Sequence, residues 1–309
     1  MPLISVSSAI SGYFTAVRRV YQCVLSDFFE CGCKIIATVI LLKKYLPTGN
    51  IECICFALIL GDVISEVGSF TFDSLSLLFD MNHKLSNNFT QKNNSFLYRI
   101  IRILMPVATT SYIKSGLSTL KQLIIPSSLE KNGLRCDKAL AEYGTITGMA
   151  MPIVMFPATF LSAVSGLLIP EFSRYYVKND YAKIKLYSKK LIVSSFLFAC
   201  TLTVLFLIFG NILGLLIYKD SCVGLYIKVF APLIPFMYVD IVVDSILKGL
   251  DAQVNVLFIN IVDLLVSISF IFFFVPIFGI KGFIASVFIS EILNFVLSLK
   301  KLIDLEKCW

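Results

Sequence analysis

Apolar residues run along this chain in long unbroken blocks, and polar residues gather in short gaps between them. Nine blocks are readable: 2–17, 29–47, 51–79, 100–125, 139–169, 188–217, 222–248, 253–275 and 279–300. About 20 mostly apolar residues cross a bilayer core as a helix, so all but the short first block have spanning length. Continuous runs predict helices, because the strands of a membrane barrel alternate apolar with polar positions. Short connections predict antiparallel neighbours. The first block has no basic residue ahead of it and no small-residue cleavage site behind it, so it does not read as a signal peptide.

Composition agrees with the pattern. Hydrophobic residues make up 57% of the 309, and charged ones only 15%. A soluble domain is nearer ~25% charged. That excludes a soluble enzyme and a disordered chain, and it predicts an all-α integral membrane protein.

The basic residues sort by side. Of 27, 17 flank the connections after blocks 1, 3, 5, 7 and 9, nine lie on the other side, and Lys114 stands inside a block. The positive-inside rule puts the larger group in the cytoplasm, with Met1 outside and Trp309 inside. The net charge of +7 is thus a topology signal and does not call for nucleic acid as a partner. The bilayer is the implied partner, and nothing in the sequence sets an oligomeric state.

The longest polar connection, Asp80 to Arg99, separates three blocks from six. The expected organisation is 1–79 as the remainder of an N-terminal lobe, 80–99 as a cytoplasmic connection, 100–301 as a six-helix lobe and 302–309 as a cytoplasmic tail. Sequons at Asn88 and Asn93 are discounted, because this connection is expected in the cytoplasm. An internal echo crosses it. Ile64-Ser65-Glu66-Val67-Gly68-Ser69-Phe70 matches Ile289-Ser290-Glu291-Ile292-Leu293-Asn294-Phe295 at four of seven positions. Ser8 to Tyr13 resembles Ser245 to Leu250 in the same order. A parallel six-helix repeat would produce both, and such repeats are a transporter architecture. Nine spans would then be a twelve-helix plan minus its first three.

Several stretches resemble the stage V sporulation protein B-like branch of the oligosaccharide flippases. They include Leu117 to Pro126 with Leu129-Glu130-Lys131-Asn132-Gly133, and Ala139 to Pro152 with Tyr143, Gly144, Gly148 and Pro152. Phe156-Pro157 and Leu167-Leu168-Ile169-Pro170-Glu171 continue the likeness. Ser11-Gly12-Tyr13-Phe14 is similar to the family's signature after its fourth helix, and Ser26, Glu30 and Lys34 to positions of its fifth. The family lies in the multidrug/oligosaccharidyl-lipid/polysaccharide (MOP) exporter superfamily. The resemblance implies a MATE-like two-lobe helical bundle in a bacterial cytoplasmic membrane. It also implies alternating-access transport of a lipid-linked oligosaccharide or another cell-envelope precursor. No basic residue lies between Tyr143 and Glu171, where lipid II flippases carry an arginine, so no lipid II role is carried over.

Charges inside spans cost roughly 2.5–3.5 kcal/mol on insertion scales and usually face a cavity or one another. Asp62, Glu66, Ser69 and Asp73 share a helical stripe, as do Asp240, Asp244 and Lys248, and Asp27, Glu30 and Lys34. Asp263, Glu291 and Lys114 stand more alone. The candidate cavity residues are Glu66, Asp62, Lys114, Asp240, Asp244 and Glu291. Carboxylates there would hold Na⁺ or H⁺ as coupling ion, and cations would meet a substrate phosphate. The competing reading is simple pairing of buried charges, and Lys34 with Glu30 is expected to be such a pair.

Pro106, Pro152, Pro157, Pro232 and Pro235 each remove a helix donor and mark hinges or static kinks. Gly144 and Gly148 form a small-xxx-small pair expected to let helices approach closely. The basic stretch 172–190 is expected to set topology. Nine cysteines, among them Cys31-x-Cys33 and Cys53-x-Cys55, give no convergent metal-ligand set, and His83 has no acidic partner in a readable arrangement. No enzyme motif, metal site or bound cofactor is expected. A membrane polymerase or ligase would need a long external loop with reactive groups, which this chain does not show. A cation-coupled efflux transporter and a non-transporting truncated fragment are the alternatives to a flippase.

Overall fold

The computed structural model describes residues 2–17, 20–48, 51–84, 94–131 and 136–307. The described elements are helical, with no strand among them. They form two compact units, residues 1–92 and residues 93–309.

The first unit has α1 (Pro2–Ala16), α2 (Val20–Tyr45) and α3 (Ile51–Lys84). The second has α4 (Asn94–Lys131), α5 (Cys136–Gly144), a π-helical turn (Thr145–Ala150), α6 (Met151–Met155) and α7 (Ala158–Val177). It continues with α8 (Tyr181–Tyr218), α9 (Ser221–Phe230), α10 (Ile234–Gly249), α11 (Gln253–Phe278) and α12 (Ile280–Lys307). Both α3 and α4 run into the stretch 80–99 expected as a connection, and α12 covers most of the expected tail. The sequon asparagines Asn88 and Asn93 lie outside the described residues.

Each of the nine apolar blocks lies on helix. By length and apolarity, five stretches among the described residues can cross a membrane: most of α3, α8, α9 with α10, α11 and α12. A sixth is a bent pair, Leu140–Met155 with Ala158–Val177, meeting at 57°. That is fewer than the nine blocks suggested, for physical reasons. Helix α1 has 15 residues. Helix α2 carries Asp27, Glu30 and Lys34 within its first 15 residues, and α4 carries Lys114 and Lys121. The bend follows from Pro157, which gives the Ile153 carbonyl no N–H. Thr159 and Phe160 bond back only three residues, to Phe156 and Pro157, at 3.2 Å each.

Lipid is as apolar as leucine, so close fit and hydrogen bonds, rather than hydrophobic expulsion, hold such helices together. In the first unit α3 is the hub. Tyr13 on α1 donates to Asp80 at 2.8 Å, Ser7 on α1 donates to Asp73, and Ser26 on α2 meets Ser69 at 3.3 Å. Gly61 brings α3 onto α2, since a Cβ there would lie 2.6 Å from the Thr38 hydroxyl.

In the second unit α10 is the hub, packing on α7, α8 and α12, while α11 joins α4 to α12. Ile234, Tyr238, Val243, Ile246 and Leu247 of α10 are wholly buried. Close approach falls to glycines the sequence reading passed over. A Cβ on Gly214 of α8 would lie 2.4 Å from the Gly224 nitrogen of α9, and Gly224 is equally pressed against Asn211. The expectation for Gly144 and Gly148 is overturned: a Cβ on either would meet nothing within 4 Å. The π turn between them changes the residues per turn, so a four-residue spacing no longer marks one packing face, and Gly148 ends exposed.

Candidate functional site

Each unit carries its own polar cluster. In the first unit, two adjoining clefts of about 390 and 280 Å³ open among α1, α2 and α3 and share Ile4, Glu30 and Glu66. Asp62 and Lys34 line the larger one, and Asp27, Ser69 and Asp73 the smaller. The ion pair here is Lys34 with Asp62, at 2.8 Å across α2 and α3. This corrects the expected Lys34–Glu30 pair, because α3 brings a carboxylate closer than the helix's own preceding turn does. Among the described residues Glu66 lines both clefts without a hydrogen bond or ion pair.

The second cluster is a seam through four helices of the second unit. Lys114 on α4 donates to the Asn260 side chain on α11 at 2.9 Å. Ser290 on α12 donates to Asp263 on α11 at 2.5 Å. Asn294 on α12 donates to Asp240 on α10 at 2.7 Å, and one turn on Ser298 reaches Asp244 at 3.4 Å. Lys121 stands near enough to Asp263 and Glu291 for their charges to act on it, and Lys248 and Lys114 act likewise on Asp244.

Asp240 differs from its neighbours. The charges that act on it are those of Asp244, Glu291 and Asp263, all carboxylates. It is 8% exposed, as is Asn294, and the second carboxylate oxygen of Asp240 and the amide oxygen of Asn294 are buried without a partner. A buried carboxylate whose charged neighbours are other carboxylates is costly.

The structure therefore brings Lys114, Asp240, Asp244 and Glu291 into one seam, and it places Asp62 and Glu66 together at the cleft of the other unit. Asn260, Asn294, Ser290, Ser298, Asp263's serine bond and Lys121 were not singled out as cavity residues. The echo held a signal for two of them. Its polar positions Ser65 and Ser69 are buried on α3, and Ser290 and Asn294 are buried at the matching places on α12.

The remaining family-motif positions lie on α1 and along the bent span of α5 to α7. Phe14 is buried, and Tyr13 is tied to Asp80. Tyr143 packs edge-on to Phe283 with centroids 5.7 Å apart. Gly12 has open space around it. Pro152 and Pro157 flank the break, Pro170 lies within α7, and Glu171 bonds to Tyr175 one turn on. Beyond the hydrocarbon, α8 begins on Asp180, whose carboxylate accepts from the Lys183 backbone at 3.3 Å. The Lys183 ammonium beside it holds this exposed carboxyl below its usual range.

The MatE family model matches residues 132–273, from the end of α4 through most of α11. Stage V sporulation protein B of Bacillus subtilis (strain 168) is 22% identical over 287 residues, covering 91% of this chain. The chain spans 55% of that protein's length. The chain is thus a helical membrane protein that is similar to the MatE family over residues 132–273 and to stage V sporulation protein B along nearly its whole sequence.

Proposed function

We propose that the chain works as a membrane transporter, passing a lipid-linked oligosaccharide or other cell-envelope precursor across the bacterial cytoplasmic membrane by alternating access. The observation that carries the ion-driven part is the Asp240–Asn294 pair. Two buried, partnerless oxygens on α10 and α12 form an acceptor site that a proton or Na⁺ would complete. A step that loads and empties such a site changes the cost of burying α10, and that change can drive a two-state element. The lysines Lys114 and Lys121 supply positive charge in the same seam, suited to a substrate phosphate. The MatE region and the similarity to stage V sporulation protein B support a membrane transporter.

The test is translocation in vesicles. Full-length chain is reconstituted with a fluorescent lipid-linked oligosaccharide, and a pH or Na⁺ gradient is imposed. Gradient-dependent flipping is expected. Ethidium efflux without flipping would replace this reading with a cation-coupled efflux transporter, and movement of neither would refute both.

A further inference from the structure

The span made of α5, α6 and α7 is bent where helical donors run short. Pro157 brings no N–H, and the Thr159 and Phe160 amides use the shorter three-residue rung. At this bend a residue from another helix supplies a donor. Tyr238 of α10 is wholly buried, and its hydroxyl donates to the Val154 carbonyl at 2.6 Å. The Ala158 N–H, on the far side of the bend, acts on the same phenol oxygen. The hydroxyl thus bonds to a backbone carbonyl at the break, as when a side chain enters the ladder of a kinked helix. A phenylalanine would fill the same space. The hydroxyl has a use here because a broken helix offers it a carbonyl.

Tyr238 also stands two residues before Asp240 and six before Asp244 on the same helix. A helix transmits displacement along its axis, so anything that moves α10 at Asp240 pulls on this bond. We propose that Tyr238 is a positioning residue tying the bend of the α5–α7 span to the buried seam on α10. The tie stands on geometry alone. Its use during transport rests on the transporter reading above.

The test is hydrogen exchange of the full chain in lipid nanodiscs, read on peptides covering residues 150–165. It needs no substrate, so its failure is distinct from a failure to transport. Tyr238→Phe is expected to speed exchange at the bend about tenfold, the size of one lost hydrogen bond, and to leave α8 and α11 unchanged. Pro157→Ala gives the Ile153 carbonyl its amide and lets the helix close, which brings the Ala158 amide to Val154, so in that background the effect of Tyr238→Phe should shrink to about threefold or less. Equal effects in both backgrounds would mean packing only and would overturn the proposal, as would no effect of Tyr238→Phe. Asp240→Asn should also shift exchange at the bend, and an unmoved bend would break the link to the seam. Should Tyr238→Phe fail to fold, 3-fluorotyrosine at position 238 keeps the packing and strengthens the donor. Slower exchange is then expected, and unchanged exchange overturns the tie.

Discussion

Asn294 and Asp240 hold each other across α12 and α10 through one 2.7 Å bond, which leaves the other Asp240 oxygen and the Asn294 amide oxygen buried without a donor. The pair is therefore half satisfied. It is stable enough to fix two helices, and open enough to take one more positive partner.

Changing the two members should have opposite effects. Asp240→Asn replaces a buried carboxylate by an amide that supplies a donor, so thermal stability in detergent is expected to hold or rise while gradient-driven translocation is lost. Asn294→Leu removes a buried donor to that carboxylate and should cost about 1–3 kcal/mol of stability. Paired thermal-unfolding curves read both. An Asn294→Leu protein as stable as the original would remove this bond from the forces holding α10 to α12.

Lys114→Ala should abolish translocation and leave membrane insertion intact. Its ammonium donates to Asn260 and offsets the charges of Asp244 and Asp263 in the seam. The vesicle assay is compared with the amount of protein recovered in washed membranes. Full translocation by this variant would strike Lys114 from the site.

Two glycine substitutions separate packing from motif resemblance. Gly214→Ala drives a methyl into the Gly224 backbone of α9, at 2.4 Å from its nitrogen, which no rotamer change relieves. Overpacking of this kind costs about 1–3 kcal/mol. Gly148→Ala meets open space and should be neutral or stabilising by about 0.4–1 kcal/mol. Thermal midpoints in one detergent decide, and a reversed order would show that the α8–α9 crossing is not held by its glycines.

Much of this was legible in the sequence. Unbroken apolar blocks can only be helices in lipid, and the spacing of Asp240 with Asp244 placed both on one face of α10. What escaped were the partners. An asparagine or serine inside an apolar helix, such as Asn260, Asn294 or Ser290, adds little to a hydropathy pattern, and its worth depends on what another helix brings opposite. Lys34 had acids both one turn behind it and on α3, and spacing along one helix could not rank them. Pro157 announced a break but not Tyr238, because that bond joins positions 84 residues apart. Gly210-x-x-x-Gly214 was as visible as Gly144-x-x-x-Gly148, but only three dimensions show which pair has a neighbour.

The cleft of the first unit carries a consequence for how its residues can be studied. Of the α3 carboxylates that line it, Asp62 binds Lys34 of α2 and Asp73 binds Ser7 of α1. Each is a rivet as well as a charge, so neutralising either loosens the three-helix assembly and alters the electric field at once. Glu66, which among the described residues bonds to neither helix, separates the two effects. It is a position on α3 where charge can be edited by itself, with the contacts that hold the three helices left in place.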